Sequence, residues 1–298
     1  MRKSHLIALF ILFIAVTVLI VSQAFTGPES QEILNEPSKA PVTASPTLAA
    51  SQGTPSPTAT PEPTQGPVVR PAVDYTKLSS LSATYHQAWS SFDMESLTVI
   101  KDTTCFYSKA DDTGLDIYLT FNLGYIQGTE VKILDLLKGS SLKATFFMPD
   151  NFIELNKNLG DEAENILKRI VNEGHVLGVR GNFATATITP EQFCDKLWTM
   201  EETYQGIAGA TKRMEFFRPD PMKISARDIA IAEAMGYKVA LWSRTIGGET
   251  KNALSVMVES LADGIIYSMD TSEALFNVLD DFITQATGKG YSFKTLEQ

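Results

Sequence analysis

From Asp116 onward the apolar positions switch repeatedly between two spacings. Asp116-Ile-Tyr-Leu-Thr-Phe121 is a near-continuous apolar run with β-branched and aromatic residues, which predicts a strand. Val131, Ile133, Leu134, Leu136 and Leu137 then recur at helical spacing, predicting a helix over 130–137. The alternation continues with a strand at Ala144–Met148, an amphipathic helix at Asp161–Glu173 and a short strand at Val176–Val179. Thr189-Pro190-Glu191-Gln192 combines a capping box with proline at the first helical position, a strong helix start. Phe216–Arg218 is a strand, Ser225-Ala-Arg-Asp228 caps a helix ending at Gly236, and Lys238–Trp242 is a strand. A helix over 254–261, a strand over 264–269, a helix over 273–286 and a strand over 291–296 complete the pattern.

Seven strands alternating with six helices predict parallel βα units. A barrel and an open doubly wound sheet both satisfy that pattern. In either, functional side chains belong at the C-terminal ends of the strands.

The chain before this pattern has a different composition. Arg2 and Lys3 precede an uncharged apolar run from Leu6 to Val21, and Ser22–Phe25 extend it to a length that spans a bilayer. The flanking charges favour an inside N-terminus. Two readings stand: an uncleaved anchor, favoured by the length, or a signal peptide cleaved after Ala24. Both export the rest of the chain. Ten of the fourteen prolines lie between Pro28 and Pro71. Residues 26–73, rich in Pro, Thr, Ser and Ala, cannot form a core and read as an extended stalk. Residues 74–115 are an N-terminal extension of the domain that occupies 116–298.

Net charge is −10, of which 21 basic against 30 acidic residues fall after position 75. Such a domain has no electrostatic footprint for nucleic acid, which is excluded as a partner. The two cysteines, Cys105 and Cys194, lack metal-site spacing and are expected as separate buried thiols; an extracytoplasmic disulfide is the alternative.

Several segments carry a resemblance: IYLTFNLGYIQGTEVKILDLLK, KATFFMP, NEGHVLG, FFRP, SARDIAIAEAMGYKVALWS and GYSFKTLEQ. In order and spacing they resemble the NodB-homology polysaccharide deacetylases, nearest the peptidoglycan-type, delta-lactam-biosynthetic de-N-acetylase branch. The resemblance implies an α/β fold, a distorted and incomplete (β/α) barrel. It also implies a divalent metal held by one Asp and two His, a carboxylate base and a His acid acting on an acetamide.

The residues that chemistry requires are missing. Where the family has Thr-Phe-Asp-Asp-Gly, or Thr-Phe-Asp-Asn-Gly in the nearest branch, this chain has Thr120-Phe121-Asn122-Leu123-Gly124. The base position is Asn122 and the metal-carboxylate position Leu123. The two His ligand positions, after Gly174-His175-Val176-Leu177-Gly178, are Arg180 and Ala184. Arg-Pro-Pro becomes Arg218-Pro219-Asp220, so Arg218 survives but faces an amide at 122. The stretch Trp242-Ser-Arg-Thr-Ile246 lacks the acid that tunes the catalytic His. The His itself falls on Asp270 or, in the other register, on Met269. The three histidines are His5, His86 and His175, and none is at a ligand position.

No catalytic residue, metal or other cofactor is therefore expected. The degenerate catalytic positions are Asn122, Leu123, Arg218 and Asp270. A possible binding pocket would gather Asn122, Arg180, Arg218, Asp220, Trp242 and Asp270. Arg180, a fixed cation at a former ligand position, is expected to stand in for the metal charge, with Asp270 as its preferred partner and Asp220 as the other. His175 is expected to satisfy a backbone hydrogen bond. Trp242 reads as a core or rim aromatic, or else as a sugar platform. The function that follows is a membrane-anchored, extracytoplasmic deacetylase-like protein without activity, kept for binding cell-wall glycan or another surface protein. The alternative is a diverged peptidoglycan de-N-acetylase using Asp220 or Asp270.

Overall fold

The computed structural model describes residues 68–87, 98–110, 114–181, 187–209, 212–220 and 223–298. The apolar N-terminal run, most of the stalk and Ala184 lie outside them. Among the described residues no helix is long and apolar enough to cross a membrane.

The elements, in chain order, begin with α1 (Tyr75–Ser79), β1 (His86–Gln87), β2 (Asp116–Asn122), α2 (Thr129–Gly139) and β3 (Thr145–Pro149). The short α3 (Phe152–Leu155) precedes α4 (Glu162–Asn172), β4 (Val176–Gly181) and α5 (Pro190–Ala208). Then come β5 (Phe216–Pro219), β6 (Lys223–Ile224), α6 (Ala226–Ala234), β7 (Lys238–Val239) and β8 (Arg244–Ile246). The last are α7 (Ala253–Glu259), β9 (Ile265–Met269), α8 (Glu273–Gly288) and β10 (Ser292–Lys294).

Eight strands form one sheet in the order β7-β5-β4-β3-β2-β9-β8, with β10 paired to the start of β2. Every pair in it is parallel. Parallel strands are covered on both faces, and Ile117–Phe121 of β2 are accordingly all buried. The predicted capping box is present: Gln192 N–H donates to Thr189 Oγ1 and Thr189 N–H to Gln192 Oε1. Ser225 and Ser272 cap α6 and α8 more simply, each side chain accepting from the N–H three residues on. At Gly178 of β4 a Cβ would lie 2.8 Å from Phe147 and 2.9 Å from the Phe216 carbonyl, so β3, β4 and β5 close up only around glycine.

The predicted strand Lys238–Trp242 is shorter than expected, and the reason lies in the N-terminal extension. Val239 O accepts from Phe106 N–H, and Leu241 N–H donates to Phe106 O, so the chain at 239–241 pairs with residue 106. It then turns at Ser243 into β8, a strand the pattern did not predict. Lys109 N–H donates to Gly264 O, and Ser108 bridges Ile265. Residues 106–109 are thus a strap bonded to both β7 and the start of β9. Laid flat, those strands would stand five spacings apart, about 24 Å. One strap reaching both means that the sheet is curled, and the strap occupies the gap of the incomplete barrel. The fit at Gly264 is tight: its φ is +73°, and a Cβ there would lie 1.9 Å from Ala110 N.

The end of the predicted stalk also touches the domain. Arg70 donates to Asp195 of α5 at 2.6 Å and to Tyr75 Oη at 3.2 Å. Cys105 and Cys194 are both buried free thiols, as expected.

Candidate functional site

The parallel register brings the sequence-predicted residues to one end of the sheet. Arg180 and Arg218 are direct neighbours on β4 and β5, and Asn122 lies at the C-terminal end of β2 opposite Phe147 of β3. Thr120 and Asn122 share a face by the two-residue period of the strand.

Arg218 is wholly buried. Its Nη1 donates to Thr120 Oγ1 at 2.8 Å and to Asn122 Oδ1 at 3.1 Å, and its Nε donates to Ala240 O at 3.2 Å. The guanidinium lies 3.8 Å from the Phe147 ring centre and 5.1 Å from that of Trp242. All of these hydrogen-bond acceptors are neutral. Burial and the nearby Arg180 charge push the Arg218 pKa well below its ordinary value, opposed by Asp220.

Asn122 is fixed on both sides of its amide. Oδ1 accepts from Arg218, and Nδ2 donates to Ser268 Oγ at 2.9 Å. Leu123 is fully buried, so its side chain belongs to the core. Its carbonyl accepts from Arg180 Nη2 at 2.8 Å, while Arg180 Nη1 donates to Asp220 Oδ2 at 2.5 Å.

Asp270 is not the partner of Arg180. Oδ2 accepts from Gly248 N–H at 2.7 Å, and Oδ1 accepts from the Ser272 hydroxyl and N–H at 2.6 and 3.1 Å. The Gly247-Gly248 turn allows this: a Cβ at Gly247 would lie 2.8 Å from Asp270 Oδ2. Asp270 therefore ties the β8–α7 loop to the start of α8. Asp220 is the residue that follows β5, next in register to β4, and so meets Arg180. The expected six-residue pocket divides into an Arg180–Asp220 pair, an Arg218–Asn122–Trp242 cluster and a separate Asp270 clasp. Trp242 is half-buried, with Nε1 donating to Thr245 at 2.7 Å, in keeping with a rim aromatic. Thr120, Phe147 and Ser268 complete the cluster and were not anticipated. The period-2 pattern of β2 was a signal for Thr120 alone.

His175 lies at the opposite end of β4. Its Nδ1 accepts from Ala144 N–H at 3.2 Å, and burial, with Lys143 nearby, pushes its pKa down to about 4.

The curled parallel sheet with its covering helices matches the fold of the family 4 carbohydrate esterases. The Polysaccharide deacetylase family model matches residues 109–240, and the chain carries a domain of that family. The chain is similar to the peptidoglycan-N-acetylmuramic acid deacetylase PdaA of Bacillus subtilis, at 29% identity over 61% of this chain and 70% of that protein. It is likewise 29% identical to a peptidoglycan-N-acetylglucosamine deacetylase of Bacillus cereus, over 64% of this chain and 68% of that protein. Among solved structures it superposes on a family 4 carbohydrate esterase from Bacillus anthracis with TM-score 0.61 and 26% identity, covering 73% of this chain and 97% of that one. A CE4 family pseudoenzyme from Bacillus anthracis, 19% identical with TM-score 0.56 over 70% of this chain and 71% of that one, shares the fold.

The divalent metal that the family implies does not fit the residues present. Where the resemblance puts its ligands, Leu123 offers a buried alkyl group and Arg180 a permanent cation already bonded to Asp220. Among the described residues no group of three or more His, Cys, Asp or Glu is placed to hold a metal ion.

Proposed function

We propose that this chain is a deacetylase-fold protein that binds cell-wall glycan without hydrolysing it, held outside the membrane by its apolar N-terminal run. The observation that carries this reading is Asn122. The amide stands where the base is needed, has no useful basicity, and is held by Arg218 and Ser268 in one orientation. The diverged-hydrolase alternative is weaker, because both Asp270 oxygens are taken by Gly248 and Ser272 and Asp220 is paired with Arg180. Peptidoglycan as the ligand comes from the names of the relatives, and the outside location comes from the anchor.

The test is to incubate the full chain, in detergent, with peptidoglycan and N-acetylglucosamine oligomers, with and without zinc or cobalt. Acetate release and co-sedimentation with the wall are measured side by side. Co-sedimentation without acetate is expected. Metal-dependent acetate release that disappears with Asp220→Asn or Asp270→Asn would establish the diverged hydrolase instead. Protease added to intact cells should cut the stalk before the domain, and a stalk cut only after lysis would overturn the outside location.

A further inference from the structure

The charges at the C-terminal ends of the strands are already committed. Arg180 donates to Asp220 and to the Leu123 carbonyl, Arg218 is wholly buried, and the Asp270 oxygens accept from Gly248 and Ser272. Lys196 pairs with Asp150, which follows β3, at 3.5 Å. Arg244 lies in register with Tyr267, whose hydroxyl donates to Met257 O of α7, so it belongs to the face that the helices cover. Lys223 lines a cleft with Phe217, on the face of β5 opposite to Arg218. Lys251 is offset by Glu249 in the same loop. In the Arg180–Asp220 pair the more open member is the acid, at 49% side-chain exposure against 21%. The charge presented beside Asn122 is therefore a carboxylate and not a cation.

An aromatic ring is presented there as well. Tyr125, three residues beyond Asn122 in the β2–α2 loop, is 52% exposed. Its backbone is held on both sides by one fully buried side chain: Asn156 Nδ2 donates to Gly124 O at 3.1 Å, and Asn156 Oδ1 accepts from Ile126 N–H at 2.8 Å. A third bond, from Nδ2 to Phe152 O at 2.8 Å, fixes Asn156 itself. A Cβ added at Gly124 would meet no atom of the described residues within 4 Å, so there is open space next to Tyr125. An exposed ring on a fixed backbone suits the apolar face of a pyranose, because little conformational freedom is lost when the two stack. Trp242 is a second, half-buried aromatic at this end, locked over Arg218 and bonded to Thr245.

We propose that this end of the barrel takes a neutral N-acetylated hexosamine chain by stacking a pyranose on Tyr125, and discriminates against N-acetylmuramic acid. The lactyl carboxylate of muramic acid would face Asp220 without a free cation beside it, and the net charge of −10 adds to the repulsion. This rests on the glycan-binding reading above and names the wall sugar it concerns, N-acetylglucosamine.

The test is calorimetric titration of the full chain, in detergent, with the N-acetylglucosamine tetramer and with the tetrasaccharide that alternates N-acetylglucosamine and N-acetylmuramic acid. The tetramer should bind about fivefold or more tighter in low salt, and the gap should narrow in 1 M NaCl as the repulsion is screened. Tyr125→Ala should weaken tetramer binding about fivefold with an unchanged unfolding midpoint, and Tyr125→Phe should stay within about twofold of wild type. Three results would overturn the proposal while leaving glycan binding standing: tetramer binding unchanged in Tyr125→Ala, binding as weak in Tyr125→Phe as in Tyr125→Ala, or tighter binding of the muramic acid tetrasaccharide. Binding of neither oligomer would overturn both readings. Acetate release with the Tyr125 effects intact would overturn only the absence of hydrolysis.

Discussion

Replacing Arg180 by Met should destabilise the domain more than replacing Asp220 by Asn, and the two losses should not add. The ion pair is intermediate in burial, with the Arg180 side chain 21% and the Asp220 side chain 49% exposed. Opposite charges about 4 Å apart attract by about 4 kcal/mol before desolvation at an effective dielectric near 20. A solvated pair retains about 0–1 kcal/mol, whereas breaking a buried one costs about 3–5 kcal/mol, so a coupling of about 1–2 kcal/mol is expected here. Arg180→Met also removes the charged hydrogen bond to the Leu123 carbonyl, a further ~1.5–3 kcal/mol. The assay is a double-mutant cycle by urea unfolding of wild type, both single variants and the double variant, in low salt and in 1 M NaCl. The coupling should shrink in high salt, because the half-exposed Asp220 is screened. Additive losses, with coupling below about 0.3 kcal/mol, would mean that the pair does not form. Arg180 would then not be the cation that holds the ends of β2, β4 and β5 together.

Asn122→Asp should stabilise the fold by about 1–3 kcal/mol at neutral pH, because it gives the buried Arg218 a charged acceptor in place of a neutral one. The new carboxyl would have a depressed folded pKa, so the gain is present above about pH 4 and is lost as pH falls through the folded value; unfolding at pH 7 and pH 3 checks both signs, and destabilisation at pH 7 refutes the idea. His175 has its folded pKa lowered from 6.5 to about 4. The unfolded chain therefore takes up the proton first, and stability of about 3 kcal/mol, complete above pH 6.5, is lost as pH falls toward 4. A His175→Gln variant should flatten that slope, and an unchanged slope would assign it elsewhere. Gly264→Ala should destabilise by about 3 kcal/mol or more, since both the positive φ and the Ala110 backbone oppose a side chain; thermal unfolding within a few degrees of wild type would show that the strap is not seated there.

Most of the βα order was legible because parallel strands buried on both faces leave long apolar runs, as in Ile117–Phe121, and because Thr189 and Ser225 announce their helices chemically. The edges were not. Lys238–Trp242 reads as one strand, yet Ala240 donates to Phe217 O and accepts from Arg218 while Leu241 donates to Phe106 O of the strap, and nothing local encodes that choice. In the site, the residue types alone showed the lost donors at Asn122, Leu123 and Arg180. The choice between Asp220 and Asp270 as partner for Arg180 depended on strand register and on a glycine turn, neither of which is written in residue type. Arg218 facing Asn122 followed from motif position, whereas its stack on Phe147 required the neighbouring strand.

The strap at 106–109 also sets an order of events in time. Ser108 bonds to Gly264, 156 residues further along the chain. At ~5–20 residues per second of synthesis, the strap waits roughly 8–30 s for that partner to be made. Until Val239 and Leu241 emerge, Phe106 lacks the backbone partners it has in the folded domain, and the sheet stays open between β7 and β9 until Gly264 follows. Closure of the barrel is therefore a late step with a high contact order, and slow folding follows from that topology. An open edge during this wait exposes the chain to mispairing, and a truncation just before Gly264 would leave the strap without that partner.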